Sequence, residues 1–129
     1  MIKHEAKCQI IFKHWLQSGA WDEGSAVFEL KQTQGKSIPF SDVKEHQELN
    51  LVSAETGLYY KIPDDSMGEK PFDCFCLKGV KGYVVLFFKK TFYIIEIHTF
   101  IKCKAWSNRA SITEEMAKNI AIHRISTSA

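Results

Sequence analysis

The chain contains no apolar run long enough to cross a bilayer: its longest, Tyr83 to Phe88, is the length of a strand, where a helical span needs about twenty residues. Proline is limited to three residues and glycine to seven in 129, which excludes low-complexity and linker-dominated architectures. Neither sign of charge prevails: 17 Lys and Arg against 15 Asp and Glu leave +2, too little to announce a polyanion partner from composition alone. The four cysteines, Cys8, Cys74, Cys76 and Cys103, include no C-x-x-C pair and read as reduced structural thiols rather than zinc ligands. Walker, G-x-G-x-x-G and G-x-S-x-G elements are missing, so no nucleotide cofactor and no serine hydrolase chemistry is expected. The segment Met1-Ile2-Lys3-His4-Glu5 lacks the apolar core of a signal peptide, and a cytoplasmic protein without membrane contact is expected.

What is present is the material of one domain, expected to span residues 1–129: 45% hydrophobic and 25% charged residues, with roughly two-thirds of the extended chain's surface available for burial at this length. Cys8, Phe12 and Leu16 recur every four residues beside Ile11 and Trp15, as do Ile2, Ala6 and Ile10, and the pattern stops at Ser18-Gly19. That spacing predicts a first amphipathic helix. Glu5 falls on the stripe of Cys8 and Phe12, beside the buried face.

Ala26 to Thr33 alternates as a strand, with Val27, Glu29 and Lys31 on one face and Phe28 and Leu30 on the other. Ser41 is positioned to cap a helix from about Asp42 to Ser53. Runs at Leu58 to Ile62, Phe72 to Leu77, Tyr83 to Phe88 and Phe92 to Ile97 predict a central sheet. Ser111-Ile112-Thr113-Glu114 reads as a capping box for a last helix lined by Ile112, Met116 and Ile120. The fold class expected is α/β, a mixed sheet with helices on both faces.

Charge is uneven along the chain: from Lys78 to Arg124 basic residues outnumber the acidic Glu96, Glu114 and Glu115, so the second half presents a basic surface. The triplet Glu29-Leu30-Lys31 is the most informative chemically. On a strand its carboxylate and ammonium share a face about 7 Å apart, a pair suited to phosphodiester hydrolysis in which a carboxylate holds a divalent cation and the Lys steadies the attacking water or the developing charge.

Glu29-Leu30-Lys31-Gln32-Thr33, followed by Ile38-Pro39-Phe40 and then His46-Gln47, resembles the E-x-K-x-T, F-P-[LF] and HQ succession of RecU-type Holliday junction resolvases, in the group historically labelled penicillin-binding-protein-related factor A, within the PD-(D/E)xK nuclease superfamily. Residues 26–51 bear the specific match. The resemblance implies a restriction-endonuclease-like mixed sheet flanked by helices, and a Mg²⁺-dependent endonuclease (Mn²⁺ able to substitute) that nicks four-way DNA junctions symmetrically as a homodimer. It further implies catalytic roles for Glu29, Lys31, Asp73, Glu5 and Gln47.

Metal ligands by the same resemblance are Glu29, Asp73 and Glu5. The superfamily's second acidic ligand usually comes from the strand before E-x-K, where the nearest candidate is Asp22. Only six residues separate Asp22 from Glu29, too few for strand, turn and strand, so Asp73 is expected to supply that ligand and Asp22 is the alternative. Lys36, Lys89, Lys90 and Arg109 are the expected DNA contacts, with Trp106 and Asn108 near Arg109. His46 is not placed on the metal, having no second His at i+3 or i+4. A different duty for the same nuclease fold (restriction, flap or repair), or a DNA-binding module that has lost its chemistry, are the competing readings.

Overall fold

Alternation of side chains along one strand decides the architecture. In the computed structural model, which describes residues 4–61 and 74–127, strand β5 (Lys81–Phe88) is buried from Gly82 to Phe88. Val84, Leu86 and Phe88 belong to one apolar cluster and Tyr83, Val85 and Phe87 to another. A strand that is apolar on both faces needs cover on both.

The elements follow in the order α1 (His4–Gln17), β1 (Ala26–Thr33), β2 (Ser37–Pro39), a 3₁₀ turn (Phe40–Asp42), α2 (Glu45–Thr56), β3 (Leu58–Lys61), β4 (Cys74–Leu77) and β5. Then come β6 (Thr91–Glu96), α3 (Ile97–Trp106), β7 (Ser111–Thr113), α4 (Glu114–Ile120) and β8 (His123–Ser126). Four strands form a mixed sheet in the order β1-β5-β6-β8, with β1 parallel to β5 and the other neighbours antiparallel. Two short antiparallel ribbons, β2 with β7 and β3 with β4, stand apart from it. The expected single α/β domain with a mixed sheet packed against helices is what the chain forms.

Helix α1 covers one face. Cys8 and Phe12 are buried against Tyr83, Val85, Phe87, Phe92 and Ile94, with Ile11, Trp15 and Leu16 beside them, whereas Ile10 is exposed. Of the two periodic stripes in the sequence, the Cys8 stripe is therefore the packed one. Phe12 meets Phe28 and Phe92 edge-on at centroid distances of 5.0 and 5.4 Å, the geometry that ring quadrupoles favour.

The other face is covered by α2, α3, α4 and the β2–β7 ribbon, through Leu51, Phe100, Ala117, Ile38 and Ile112. Here α2 approaches β5 so closely that a Cβ on Gly82 would stand 2.5 Å from the Leu51 carbonyl oxygen and 2.8 Å from its Cβ. Glycine is what lets the helix lie on the strand. Lys104 of α3 reaches Glu48 of α2 at 2.5 Å, and His98 lies 3.3 Å from Glu55, so the two helices are joined by polar contacts above their apolar ones.

Several expected boundaries shift. Helix α2 starts at Glu45 rather than near Asp42, because Phe40 and Val43 are both buried and turn the chain through the 3₁₀ segment first. The cap is then supplied backwards, by Gln47 Oε1 accepting the Lys44 N–H at 2.8 Å. The run Phe92 to Ile97 stops as a strand at Glu96, whose carboxylate accepts the Thr99 N–H (3.2 Å) and opens α3; neither α3 nor β8 is expected from the sequence. Ile112 is not on the last helix but pairs with Ile38 in the β2–β7 ribbon, and Thr113, not Ser111, caps α4 by accepting the Met116 N–H. Among the described residues no helix is long and apolar enough to cross a membrane.

Tyr93, 2% exposed on β6, donates its hydroxyl to Glu114 Oε2 at 2.6 Å. Burial, reinforced by that carboxylate, pushes its phenol up to about 12. A phenol held protonated in the folded state stabilises fully below the unfolded pKa near 10 and loses that contribution as pH rises to about 12. Stability should therefore fall between those limits by an amount of order 2 kcal/mol, and Tyr93→Phe should flatten the decline in pH-dependent urea melts. Gly82→Ala should cost about 1–3 kcal/mol through overpacking, read as a lower urea midpoint with an unchanged slope.

Candidate functional site

Strand β1 pairs with β5 along its whole length and has no strand on its other edge among the described residues. Its register with β5 places Glu29 beside Val84 and Lys31 beside Leu86, both members of the cluster under α2, and Val27 packs into that cluster too. Phe28 and Leu30 point to the α1 side. The alternation read from the sequence thus puts Glu29 and Lys31 together on the α2 face of an edge strand.

The two side chains form an ion pair, Lys31 Nζ to Glu29 Oε1 at 3.2 Å, with 18% of Lys31 and 29% of Glu29 exposed. The pair is mostly covered yet still reachable from solvent. Beside it an open cavity of about 250 Å³ is lined by Lys31, Gln32, Asp42 and Lys44, so the turn before α2 brings a further carboxylate and ammonium to the same end of β1. Gln32 Oε1 is buried and has no hydrogen-bond partner among the described residues.

Gln47 is on α2, which packs on this face of the sheet. Leu51 lies on Gly82, which is in register with Val27, while Lys44 shares a cavity with Lys31; α2 therefore runs antiparallel to β1. Gln47 comes four residues, about 6 Å of helix rise, before Leu51, toward the end of α2 that Lys44 brings near Lys31. Its Oε1 is engaged by the Lys44 N–H, which fixes the side chain at the helix start.

Other expected site residues are distributed differently. Glu5 is in the first described turn of α1, a helix whose Gln9, Phe12, Lys13 and Leu16 line an open cavity together with Glu29. Asp73 lies outside the described residues; the strand it was expected to open begins at Cys74, paired with Lys61. Asp22 is exposed next to Trp21, whose ring packs on Phe28 and Tyr83, placing it before the start of β1 on the α1 side. Among the described residues no three His, Cys, Asp or Glu side chains gather as a metal-binding group. Glu29 is thus the carboxylate on β1 able to hold a cation, with Asp42 near its lysine partner, and these two alone do not make a complete donor set.

Of the expected DNA contacts, Lys36, Lys89 and Lys90 are exposed at the C-terminal end of β1: Lys89 donates its N–H to the Thr33 carbonyl at 3.3 Å. Arg109 is exposed in the loop after α3, at the other end of the β2–β7 ribbon from Lys36, since Phe40 N–H bonds the Ala110 carbonyl while Glu114 N–H bonds that of Lys36. Trp106 ends α3 and is 82% exposed.

Asp42 is the residue that the sequence reading passed over. The signal for it was the Phe40-Ser41-Asp42-Val43 segment itself, whose buried Phe40 and Val43 force a tight turn that leaves Asp42 in the wall of the cavity Lys31 also lines. Buried Cys8 and half-buried Cys103 serve packing, and burial pushes the Cys103 thiol up, away from the reactive thiolate.

No protein-family model, curated protein or solved structure matches this chain. The site accordingly rests on its own geometry. The pair is largely covered, and removing one partner leaves the other charge partly desolvated and unpaired, so Glu29→Gln and Lys31→Met should each cost about 1–3 kcal/mol, read as a lower urea midpoint with an unchanged slope.

Proposed function

We propose that the chain is a metal-dependent, structure-specific DNA endonuclease of the PD-(D/E)xK kind, with a four-way junction as its substrate and paired nicks by a homodimer as its product. The observation that supports this best is the Glu29–Lys31 pair at 3.2 Å on a strand with no partner on its other edge among the described residues. A charged pair on the sheet face that otherwise carries Val27 toward the core has no packing purpose, and the lysines at the same end of β1 suit a phosphate backbone.

In this reading Glu29 would contribute a carboxylate to a Mg²⁺ site, with Asp73, outside the described residues, as the expected second ligand; the chemistry such an ion supplies when bound is activation of a water for phosphodiester hydrolysis. Lys31, 18% exposed, is held by Glu29 at a fixed position from which its ammonium neutralises charge developing on the phosphate. Gln47, pinned by Lys44, orients groups at the rim. Lys36 and the Lys89-Lys90 turn hold the strand on one side of the cut. Symmetric cutting requires two such sites and hence two copies.

A second reading, a DNA-binding module without chemistry, is favoured by the incomplete carboxylate set among the described residues. A labelled immobile four-way junction and its matching linear duplex, each with Mg²⁺ or EDTA, separate the two. The expected result is paired nicks on the junction alone that require Mg²⁺ and drop by at least about a thousandfold in Glu29→Gln, with junction binding retained. Junction binding without cutting under Mg²⁺ and Mn²⁺ would leave the module reading standing in its place.

A further inference from the structure

The turn joining β5 to β6 is only two residues, Lys89-Lys90, since Phe88 pairs with Thr91. Hairpins this tight favour Asn-Gly or Gly-X, because the first central residue takes a positive φ. Lys89 has φ 58°, a conformation that costs a side-chain-bearing residue about 1–2 kcal/mol. Strain of this kind at a solvent-facing turn points to a use for the side chains it retains.

The turn is also fixed from both sides. Lys89 N–H bonds the Thr33 carbonyl at 3.3 Å, and the Lys90 carbonyl accepts both the N–H (2.7 Å) and the hydroxyl (2.9 Å) of Thr127. With their backbone anchored, Lys89 and Lys90 line an open cavity of about 330 Å³ to which α1 adds Lys7. Cys8, Ile11 and Phe87 give it an apolar floor. Among the described residues no carboxylate lines it and none of the three ammonium groups is in an ion pair.

Three lysines lining one cavity over an apolar floor raise the local positive potential and draw anions to it. The ligand must be a compact oxyanion that presents several acceptor oxygens at once, which is phosphate chemistry. We propose that the Lys7–Lys89–Lys90 cavity is a phosphate-binding site occupied by a phosphate group of DNA, separate from the Glu29–Lys31 pair. The phosphate chemistry stands on the cavity alone; DNA as its source rests on the endonuclease reading.

Amide spectra of the ¹⁵N-labelled full chain, titrated with inorganic phosphate and with chloride at matched ionic strength, test the site. Saturable shifts at Lys7, Gln34 and Thr127 with phosphate alone are expected, and shifts that fail to saturate, or that chloride reproduces, would overturn it. The variant K89N/K90G suits the turn better and should melt at the same or a higher temperature while losing about tenfold in phosphate affinity; Lys7→Met, on an exposed helix position, should weaken binding in the same direction. Unchanged affinity in both variants would also overturn the site.

Short duplexes with and without a 5′-phosphate identify the source. K89N/K90G should weaken duplex binding and lower the slope of log K against log salt by roughly two, with a preference for the phosphorylated end if the cavity takes a terminal phosphate and none if it takes an internal one. Binding of inorganic phosphate with duplex binding untouched by the substitutions would overturn the DNA assignment in favour of a free phosphate ligand. Every titration is repeated with Glu29→Gln, which should bind phosphate normally, so that loss of cutting and loss of this site are read independently.

Discussion

Strand β5 has no side chain in water from Gly82 to Phe88, and the other elements are placed by what they must cover on it. Burying each large apolar side chain contributes on the order of 2 kcal/mol, so two apolar faces on one strand demand two layers. Helix α1 satisfies one face with its Cys8 and Phe12 stripe. The second face needs α2 at the shortest possible distance, which Gly82 permits, and α3, α4 and the β2–β7 ribbon fill the remainder.

The candidate site is a by-product of that arrangement. Strand β1 is parallel to β5, so the chain between them must cross over the sheet, and the crossover delivers α2 and the turn before it to the face that carries Glu29 and Lys31. Asp42 and Lys44 arrive beside β1 for this reason and not through any nearness in sequence. The open edge of β1 leaves the ion pair partly exposed, while the α1 side of the same strand is packed with Phe28 and Leu30. One strand thus has a structural face and a chemical one.

Much of this was legible from periodicity. Ala26 to Thr33 alternates cleanly and forms the strand with the expected faces, and the stripe through Cys8 and Phe12 forms the expected helix contact. The signal failed where apolar residues continue through a change of element. Phe92 to Ile97 reads as one strand, yet Glu96 caps a helix there and Ile97 and Phe100 turn inward as helix residues. It failed again where an element is too short for periodicity, as in β2, β7 and β8, whose existence depends on partners far along the chain.

The sequence by itself determined the class of the domain, the first helix, the E-x-K strand and which of its residues share a face, because two-residue and near-four-residue periods are local properties of the backbone. Only the tertiary structure decided that Asp42 and Lys44 stand by Lys31, that Asp22 precedes β1 on the opposite side, and that Lys7 joins the Lys89-Lys90 turn around one cavity. Those meetings follow from strand order, crossover and helix packing. Each is set by the burial of β5 as a whole, which no short window of residues contains.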